Sequence, residues 1–308
     1  MQLFSYLANG QQRCARLVGQ YGIDLNLADQ HYSNTHGISR TKQVGLPSDL
    51  QEFFALGESG FKYAKTVTDW ALRTFEKNTH ILSDEVVFEF SKALLIAPII
   101  RPGKVICIAG NFPAQNKMEC PEFPTVFLKP SGGVIGHQQP VIIPSVCKSV
   151  AYEVELVIVI GKQGKNLSEQ AAVSVVAGYT LANDLGDRLL EKRTSQWTSG
   201  KMFDTFTPMG PIVVTVDELY ATKNLQMYTK VNDKIVQKSN TSEMFFNVSQ
   251  LVAYLSTLTT LECGDVILTG SPKMMDGQPN PSCELIPGDV VEVGIENLAS
   301  LINPILSE

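Results

Sequence analysis

One stretch of the chain decides the fold: Val150-Ala-Tyr-Glu-Val-Glu-Leu-Val-Ile-Val-Ile-Gly161. Its β-branched and aliphatic residues, ended by a glycine, are typical of a buried strand. Because side chains alternate along a strand, Glu153 and Glu155 point to the same face. Two neighbouring acids repel each other and are costly to bury, so one interpretation places a cation between them. The same spacing is also typical of a strand end that faces water.

A second apolar run follows and ends in another acid. The segment from Val173 leads to Asn183 and Asp184, where a strand or its turn places a third carboxylate. Three carboxylates that face one point suit a hard divalent cation such as Mg²⁺. No sulfur or imidazole is nearby in the sequence, which disfavours zinc. The excess negative charge can be offset by Lys129 and Lys201.

Several blocks of the chain resemble the fumarylacetoacetate hydrolase family, and their order and spacing match its catalytic domain over roughly residues 100 to 308. They are Tyr152-Glu-Val-Glu-Leu, Gly178-Tyr-Thr-Leu-Ala-Asn-Asp184, Gln196-Trp-Thr-Ser-Gly-Lys-Met-Phe-Asp-Thr-Phe206, Ser239-Asn-Thr-Ser242 and Gly264-Asp-Val-Ile-Leu-Thr-Gly-Ser-Pro272. The resemblance implies a site for Mg²⁺, Mn²⁺ or Ca²⁺ held by Glu153, Glu155 and Asp184. It also implies a 2-oxo or 1,3-dicarbonyl acid as substrate.

Length and pattern predict the architecture. The 308 residues favour two domains, and we place them at 1–100 and 101–308. The start of the chain predicts an antiparallel meander with a hairpin turn at Asn9-Gly10. A helical stripe of apolar residues follows from Phe61 to Phe75. Many short strands then indicate an α+β, β-rich fold. The resemblance makes this a mixed β-roll catalytic domain with a small N-terminal α/β domain.

Composition excludes several classes of protein. Hydrophobic residues make up 44% and charged residues 18% of the chain, and the net charge is −6, as in an ordinary globular protein. No basic run predicts nucleic-acid binding, no apolar run is long enough to span a bilayer, and the start lacks the pattern of a signal peptide. Six scattered cysteines without a C-x-x-C pair favour reduced thiols and a cytoplasmic location. The resemblance implies a homodimer.

The resemblance also assigns roles to other residues. Lys201 would be an active-site lysine that stabilises negative charge on an enolate, and Lys129 would lie near the metal. Arg188 follows Asp184 by four residues, so a helix would place both on one face. Its planar guanidinium matches the family's arginine for a substrate carboxylate. Thr269 with Gly270 matches a loop that binds the same carboxylate, and Gln196 matches more weakly.

Two positions depart from the family's pattern. Aligning Asn111-Phe112 with the family's asparagine–aromatic pair puts Gln115 where many members have a lid histidine, and an amide cannot act as a general base. Glu119 lies one position beyond the family's lid glutamate and is a candidate base. Glu191 stands where the family commonly has a glutamine that contacts the substrate, and an acid there disfavours an anionic group nearby.

These observations predict a metal-dependent hydrolase or lyase that acts on a small 2-oxo or diketo acid. Without the lid histidine, enolate chemistry such as hydration, dehydration or isomerisation is favoured over C–C hydrolysis, and decarboxylation is a further reaction that the resemblance allows. Two alternatives stay open: a catalytically silent protein that binds metal and ligand, and a structural β-rich module whose acids are solvated.

Overall fold

The computed structural model describes residues 1–38, 45–77, 82–113, 119–219, 221–273 and 284–308. The first half of the strands comprises β1 Gln2–Ala8, β2 Gln11–Val18, β3 Tyr21–Asp24, β4 Val87–Glu89, β5 Leu94–Ile96, β6 Val105–Ala109, β7 Thr125–Lys129, β8 Val134–Ile135, β9 Val141–Ile143 and β10 Val150–Ala151. The second half comprises β11 Val154–Ile160, β12 Val176–Asn183, β13 Gly186–Asp187, β14 Thr207–Pro208, β15 Val213–Thr215, β16 Gln226–Val231, β17 Lys234–Asn240, β18 Val266–Leu268, β19 Val290–Ile295 and β20 Leu298–Ser307. The helices are α1 Leu25–Thr35, α2 Leu50–Ala55, α3 Gly57–Lys77, α4 Glu169–Ala172, α5 Arg188–Glu191, α6 Thr198–Lys201 and α7 Val248–Leu258.

A mixed, 11-stranded sheet runs through the molecule in the order β4-β3-β2-β1-β15-β12-β11-β18-β6-β7, with β5 paired to β1. The predicted meander is confirmed, since β1, β2 and β3 pair antiparallel and Asn9 and Gly10 both adopt the positive φ of a hairpin turn. Strand β1 also pairs with β15. The N-terminal strands therefore continue the sheet that carries Glu155, and the division at residue 100 stays a prediction.

Helices α1, α2 and α3 cover the N-terminal part of this sheet. The predicted apolar stripe is confirmed, because Ala64, Val67 and Ala71 of α3 are buried. Ser48 and Gln51 have the spacing of a capping box, but the residue that caps α2 is Asp49, which accepts a hydrogen bond from the Glu52 N–H. The polar neighbours of His31 favour a loop in the sequence, but His31 belongs to α1, where Asp24 supplies the N-cap.

A second sheet of five strands has the order β17-β16-β19-β20-β9 and packs into the same core as β11 and β12. Together the two sheets and the short helices give the β-rich α+β architecture that the sequence predicts. Among the described residues, no helix combines the length and hydropathy needed to cross a membrane.

The strand predicted from Val150 to Ile160 is interrupted. Strand β10 pairs with β13, whereas β11 pairs with β12 and β18. Glu153 lies in the break, where its N–H donates to the Asn183 side chain instead of to a strand. The prediction of one continuous strand is therefore wrong, because its two parts have different pairing partners.

Candidate metal centre and active site

Three carboxylates meet at one end of the β11–β12 pair. The register places Val154 opposite Asn183, and the Asp184 N–H donates to the Glu153 carbonyl at 2.8 Å. Asp184 therefore leaves β12 beside the residue that precedes β11. As a result, one carboxylate oxygen from each of Glu153, Glu155 and Asp184 lies within 4.8 Å of the others.

Glu155 is the most isolated of the three acids. Its side chain is buried, and its Oε2 accepts a hydrogen bond of 2.7 Å from the Gly270 N–H. Burial, together with the charges of Asp184 and Glu153, raises the pKa of Glu155 well above its usual range. Gly270 has a φ of +101°, and a Cβ there would lie 2.8 Å from the Asn111 side chain. The close approach that delivers this N–H therefore requires glycine.

Lys201 links the other two acids. Its Nζ lies 2.5 Å from Glu153 Oε2 and 3.0 Å from Asp184 Oδ2, and it also donates to the Asp184 carbonyl at 2.8 Å. Burial would lower the pKa of Lys201, but the charges of Asp184 and Glu153 outweigh it and raise that pKa. The ammonium is thus a permanent positive charge in the site.

Arg188 joins Glu153 to Glu191. Its guanidinium pairs with Glu153 Oε1 at 2.5 Å and with Glu191 Oε2 at 2.9 Å. Burial raises the pKa of Glu153, but the charges of Lys201 and Arg188 outweigh it and lower the pKa to about 2. The expectation that a helical turn sets Arg188 beside Asp184 is wrong: strand β13 intervenes, and α5 begins only at Arg188.

Lys129 lies behind the cluster. Its Nζ contacts Asp184 Oδ1 at 2.5 Å and donates to the carbonyls of Phe206 at 2.7 Å and Leu185 at 3.1 Å. These contacts account for the three hydrogens of an ammonium. Lys129 therefore orients Asp184 and, in this structure, does not line the cavity in front of the acids.

That cavity has a volume of about 320 Å³. Its charged residues are Glu153, Glu155, Asp184, Arg188, Glu191 and Lys201. The rest of its wall consists of Ile108, Ala109, Gly110, Phe127, Trp197 and Ser271. A larger cavity of about 490 Å³ lies beside the N-terminal hairpin, but the acids of its wall, Asp84 and Glu85, are exposed, and its Arg13 is already paired with Asp24. The chemistry thus favours the smaller cavity.

The donor set fits a hard divalent cation. All three groups offer carboxylate oxygens, which Mg²⁺, Mn²⁺ and Ca²⁺ prefer. Among the described residues, Glu155 has no cationic side chain as a hydrogen-bond partner, so a metal ion between the acids would supply its missing counter-charge.

Other predicted site residues lie away from the cavity. Thr269 is buried, and its hydroxyl donates to the Leu156 carbonyl at 3.0 Å. Gln196 and Glu119 are exposed and do not contribute to the cavity wall. Gln115 lies outside the described residues. The roles proposed for these four residues stay predictions.

Sequence reasoning missed Phe127, Trp197 and Ser271. Phe127 lies two residues before Lys129 on β7, so strand alternation places both side chains on the same face of the strand. Trp197 follows Gln196 directly, but the resemblance pointed to Gln196 alone as a site residue. Asn111 was also missed: its side chain donates to the Thr269 and Phe246 carbonyls and accepts from the Phe246 N–H, which fixes the loop that carries Gly270.

Comparison with known proteins identifies relatives along most of the chain. Residues 104–306 match the family described as fumarylacetoacetate (FAA) hydrolase C-terminal. The mitochondrial oxaloacetate tautomerase fahd2 of Xenopus laevis is 38% identical over 266 residues, which cover 85% of this chain and 79% of the relative. A fumarylacetoacetate hydrolase domain-containing protein 2 homolog of Dictyostelium discoideum is 37% identical over 98% of this chain and 96% of its own length.

Solved structures share the fold. A 2-hydroxyhepta-2,4-diene-1,7-dioate isomerase from Mycobacterium marinum is 34% identical with a TM-score of 0.64, over 72% of this chain and 81% of that one. A fumarylacetoacetate hydrolase from Exiguobacterium antarcticum is 26% identical with a TM-score of 0.78, over the whole of both chains.

Proposed function

The chain belongs to the fumarylacetoacetate hydrolase family, and we propose that it is a divalent-metal-dependent enzyme that interconverts the keto and enol forms of a small 2-oxo acid. Membership of the family supports enzymatic chemistry on a small acid. The reaction, the metal and the assignment of Glu153, Glu155 and Asp184 as metal ligands belong to the proposal.

The observation that carries it is the meeting of three carboxylates and the Lys201 ammonium in one cavity, with no imidazole among the described residues of its wall. The sequence has a single histidine after residue 100, His137. Its Nδ1 accepts a hydrogen bond from the Ile302 N–H at 3.2 Å, and it does not line the cavity. Hydrolysis needs an activated water, whereas keto–enol exchange needs only a proton moved from carbon to oxygen.

Each group at the site then has a chemical or structural role. When bound, a divalent cation supplies Lewis acidity that favours negative charge on a carbonyl oxygen. Lys201 stabilises the enolate, because its ammonium is buried and cannot be screened by water. Lys129 and the Gly270 N–H hold Asp184 and Glu155 in place, and Arg188 holds Glu153. Glu119 is the candidate from the sequence for the group that accepts the proton from carbon.

A direct assay tests the proposal. Metal-free protein would be supplied with Mg²⁺ or Mn²⁺ and mixed with the enol forms of oxaloacetate, acylpyruvates and 2-keto-3-deoxy sugar acids, and the decay of enol absorbance would be followed. We expect metal-dependent acceleration for at least one acid, and its loss in Asp184→Asn. Tight binding of metal and acid without turnover would instead favour the catalytically silent binder, and release of a cleaved acid would favour hydrolysis.

Two further properties stay predictions. A homodimer is supported only by the family resemblance, and sedimentation analysis of the purified protein would test it. A cytoplasmic location is expected from cysteine usage, whereas the Xenopus relative is named mitochondrial, and fractionation of cells would distinguish the two compartments.

A further inference from the structure

The charge of Arg188 is already compensated inside the protein. Its guanidinium is held between the carboxylates of Glu153 and Glu191. Glu191 cannot easily move away, because it is packed between two glycines: a Cβ at Gly186 would lie 2.2 Å from Glu191 Oε1, and one at Gly200 would lie 2.6 Å from its Cγ. Arg188 is thus a poor receptor for a further carboxylate on a substrate.

Glu191 is also an unusual acid in its own right. Its side chain is 9% exposed, and its Oε1 has no hydrogen-bond partner among the described residues. Lys201 Nζ lies 3.9 Å from that oxygen. A buried carboxylate oxygen without a hydrogen bond is costly, and the positive charges beside Glu191 are those of Arg188 and Lys201.

The net charge of the site determines how many carboxylates a ligand can carry into it. Metal coordination requires ionised ligands, and with all carboxylates ionised four acids face three cations once Lys129 is included, which leaves one negative charge. A bound divalent cation turns this into one positive charge. A 2-oxo acid with a single carboxylate then makes the site neutral, whereas a second carboxylate would leave one unpaired negative charge in the cavity.

The remaining wall of the cavity is apolar. Phe127 and Trp197 contact each other edge to face, with ring centroids 6.0 Å apart and planes at 82°, and Ile108 and Ala109 extend this surface. Trp197 is 39% exposed, so part of its ring is free to contact a ligand. Such a wall stabilises a flat apolar group better than a charged one.

We propose that this cavity selects 2-oxo acids that carry one carboxylate and a planar apolar substituent. Glu191 disfavours a second carboxylate, and Trp197 with Phe127 binds the substituent. This inference rests on the proposed function for the 2-oxo acid head, and it separates this chain from its Xenopus relative, whose name specifies the dicarboxylate oxaloacetate.

Binding of two unreactive acids tests the selectivity without turnover. Oxanilate and N-oxalylglycine share an oxalyl amide head, but the first carries a phenyl ring and the second a carboxylate. Titration calorimetry in saturating Mn²⁺ should show oxanilate binding at least roughly tenfold more tightly. Glu191→Gln, which removes one charge with little change of shape, should reduce that ratio by roughly tenfold or more.

Trp197→Leu provides the second arm. It should weaken oxanilate and leave N-oxalylglycine unchanged, and it keeps the test decisive if Glu191→Gln does not fold. Phe123→Leu is the matched control, because Phe123 is an exposed aromatic residue that stacks on Tyr254 outside the cavity wall. Tighter binding of N-oxalylglycine to the wild type, or a ratio that neither variant changes, would overturn the inference.

Measurements of turnover distinguish a failure of this inference from a failure of the proposed function. The enols of phenylpyruvate and oxaloacetate undergo the same proton transfer, and phenylpyruvate should have the higher kcat/KM. A preserved binding preference without turnover of either acid would reject the proposed function and leave the selectivity standing. Faster turnover of oxaloacetate, unaffected by Glu191→Gln, would reject the selectivity and leave the function.

Discussion

Lys129 Nζ lies 2.5 Å from Asp184 Oδ1, and both side chains are 1% exposed. The pair joins the end of β7 to the end of β12, so that a buried cation sets the orientation of one of the three acids. Breaking a buried pair by removing one partner costs about 3–5 kcal/mol, because the other charge is left uncompensated.

Lys129→Met should therefore lower the free energy of unfolding by about 3 kcal/mol in EDTA. The loss should be smaller with Mg²⁺, because a metal ion replaces part of the missing charge. Urea unfolding in both buffers measures this. Lys92→Met is the control, since Lys92 pairs with Glu89 at the surface and such pairs contribute little. An equal loss in both variants would count against a special role for Lys129.

Metal binding should stabilise the protein through Glu155. Mg²⁺ at 100 times its Kd should raise the free energy of unfolding by about 2.7 kcal/mol, and Glu155→Gln should abolish the increase because it removes a carboxylate ligand. Thermal melts with Mg²⁺ and with EDTA provide the measurement. Glu122→Gln changes an exposed glutamate and should retain the full increase. A metal-independent melting temperature in the wild type would contradict the metal centre.

Lys201→Met should reduce kcat by roughly 100-fold or more, because it removes the charge that stabilises the enolate. Steady-state kinetics on whichever 2-oxo acid the wild type converts would measure the loss. Lys192→Met, an exposed lysine at the end of α5, should behave like the wild type. If Lys201→Met kept its kcat, the lysine would have only a structural role.

Gly186→Ala should disturb the site through contact alone. A Cβ at Gly186 would lie 2.2 Å from Glu191 Oε1 and 2.8 Å from the Lys201 stem, so both side chains would have to move. Overpacking of this kind lowers the free energy of unfolding by about 1–3 kcal/mol. We also expect kcat to fall by roughly tenfold or more, because Lys201 is displaced. Gly132→Ala has open space around its Cβ and should change neither stability nor kcat.

The pH dependence of stability should include His137. Burial lowers its pKa below the ordinary 6.5, and its Nδ1 accepts the Ile302 N–H. The unfolded chain therefore binds a proton at a higher pH than the folded one. Stability is fully present above about pH 6.5 and falls as pH decreases through the folded pKa. Urea unfolding between pH 7.5 and 5.5 should show a shallower slope in His137→Asn, and an unchanged slope would refute this.

Local sequence was sufficient for much of the architecture. The β-branched runs predicted β11 and β12, the helical spacing from Phe61 to Phe75 predicted α3, and Asn9-Gly10 predicted the first hairpin. Ser168, a favourable N-cap residue in the sequence, does cap α4. These features depend on contacts within a few residues, which propensity and periodicity describe directly.

The site itself depended on pairings between distant residues. Only the register of Val154 with Asn183 brings Asp184 beside Glu153, and only the separate pairing of β10 with β13 breaks the strand between them. The sequence showed where Glu153, Glu155 and Asp184 stand along the chain, and the resemblance identified them as one set of metal ligands. Tertiary packing decided whether Lys129 faces the substrate or lies behind Asp184, and whether Gln196 or Trp197 lines the cavity. No local pattern specifies which distant backbone a side chain will meet.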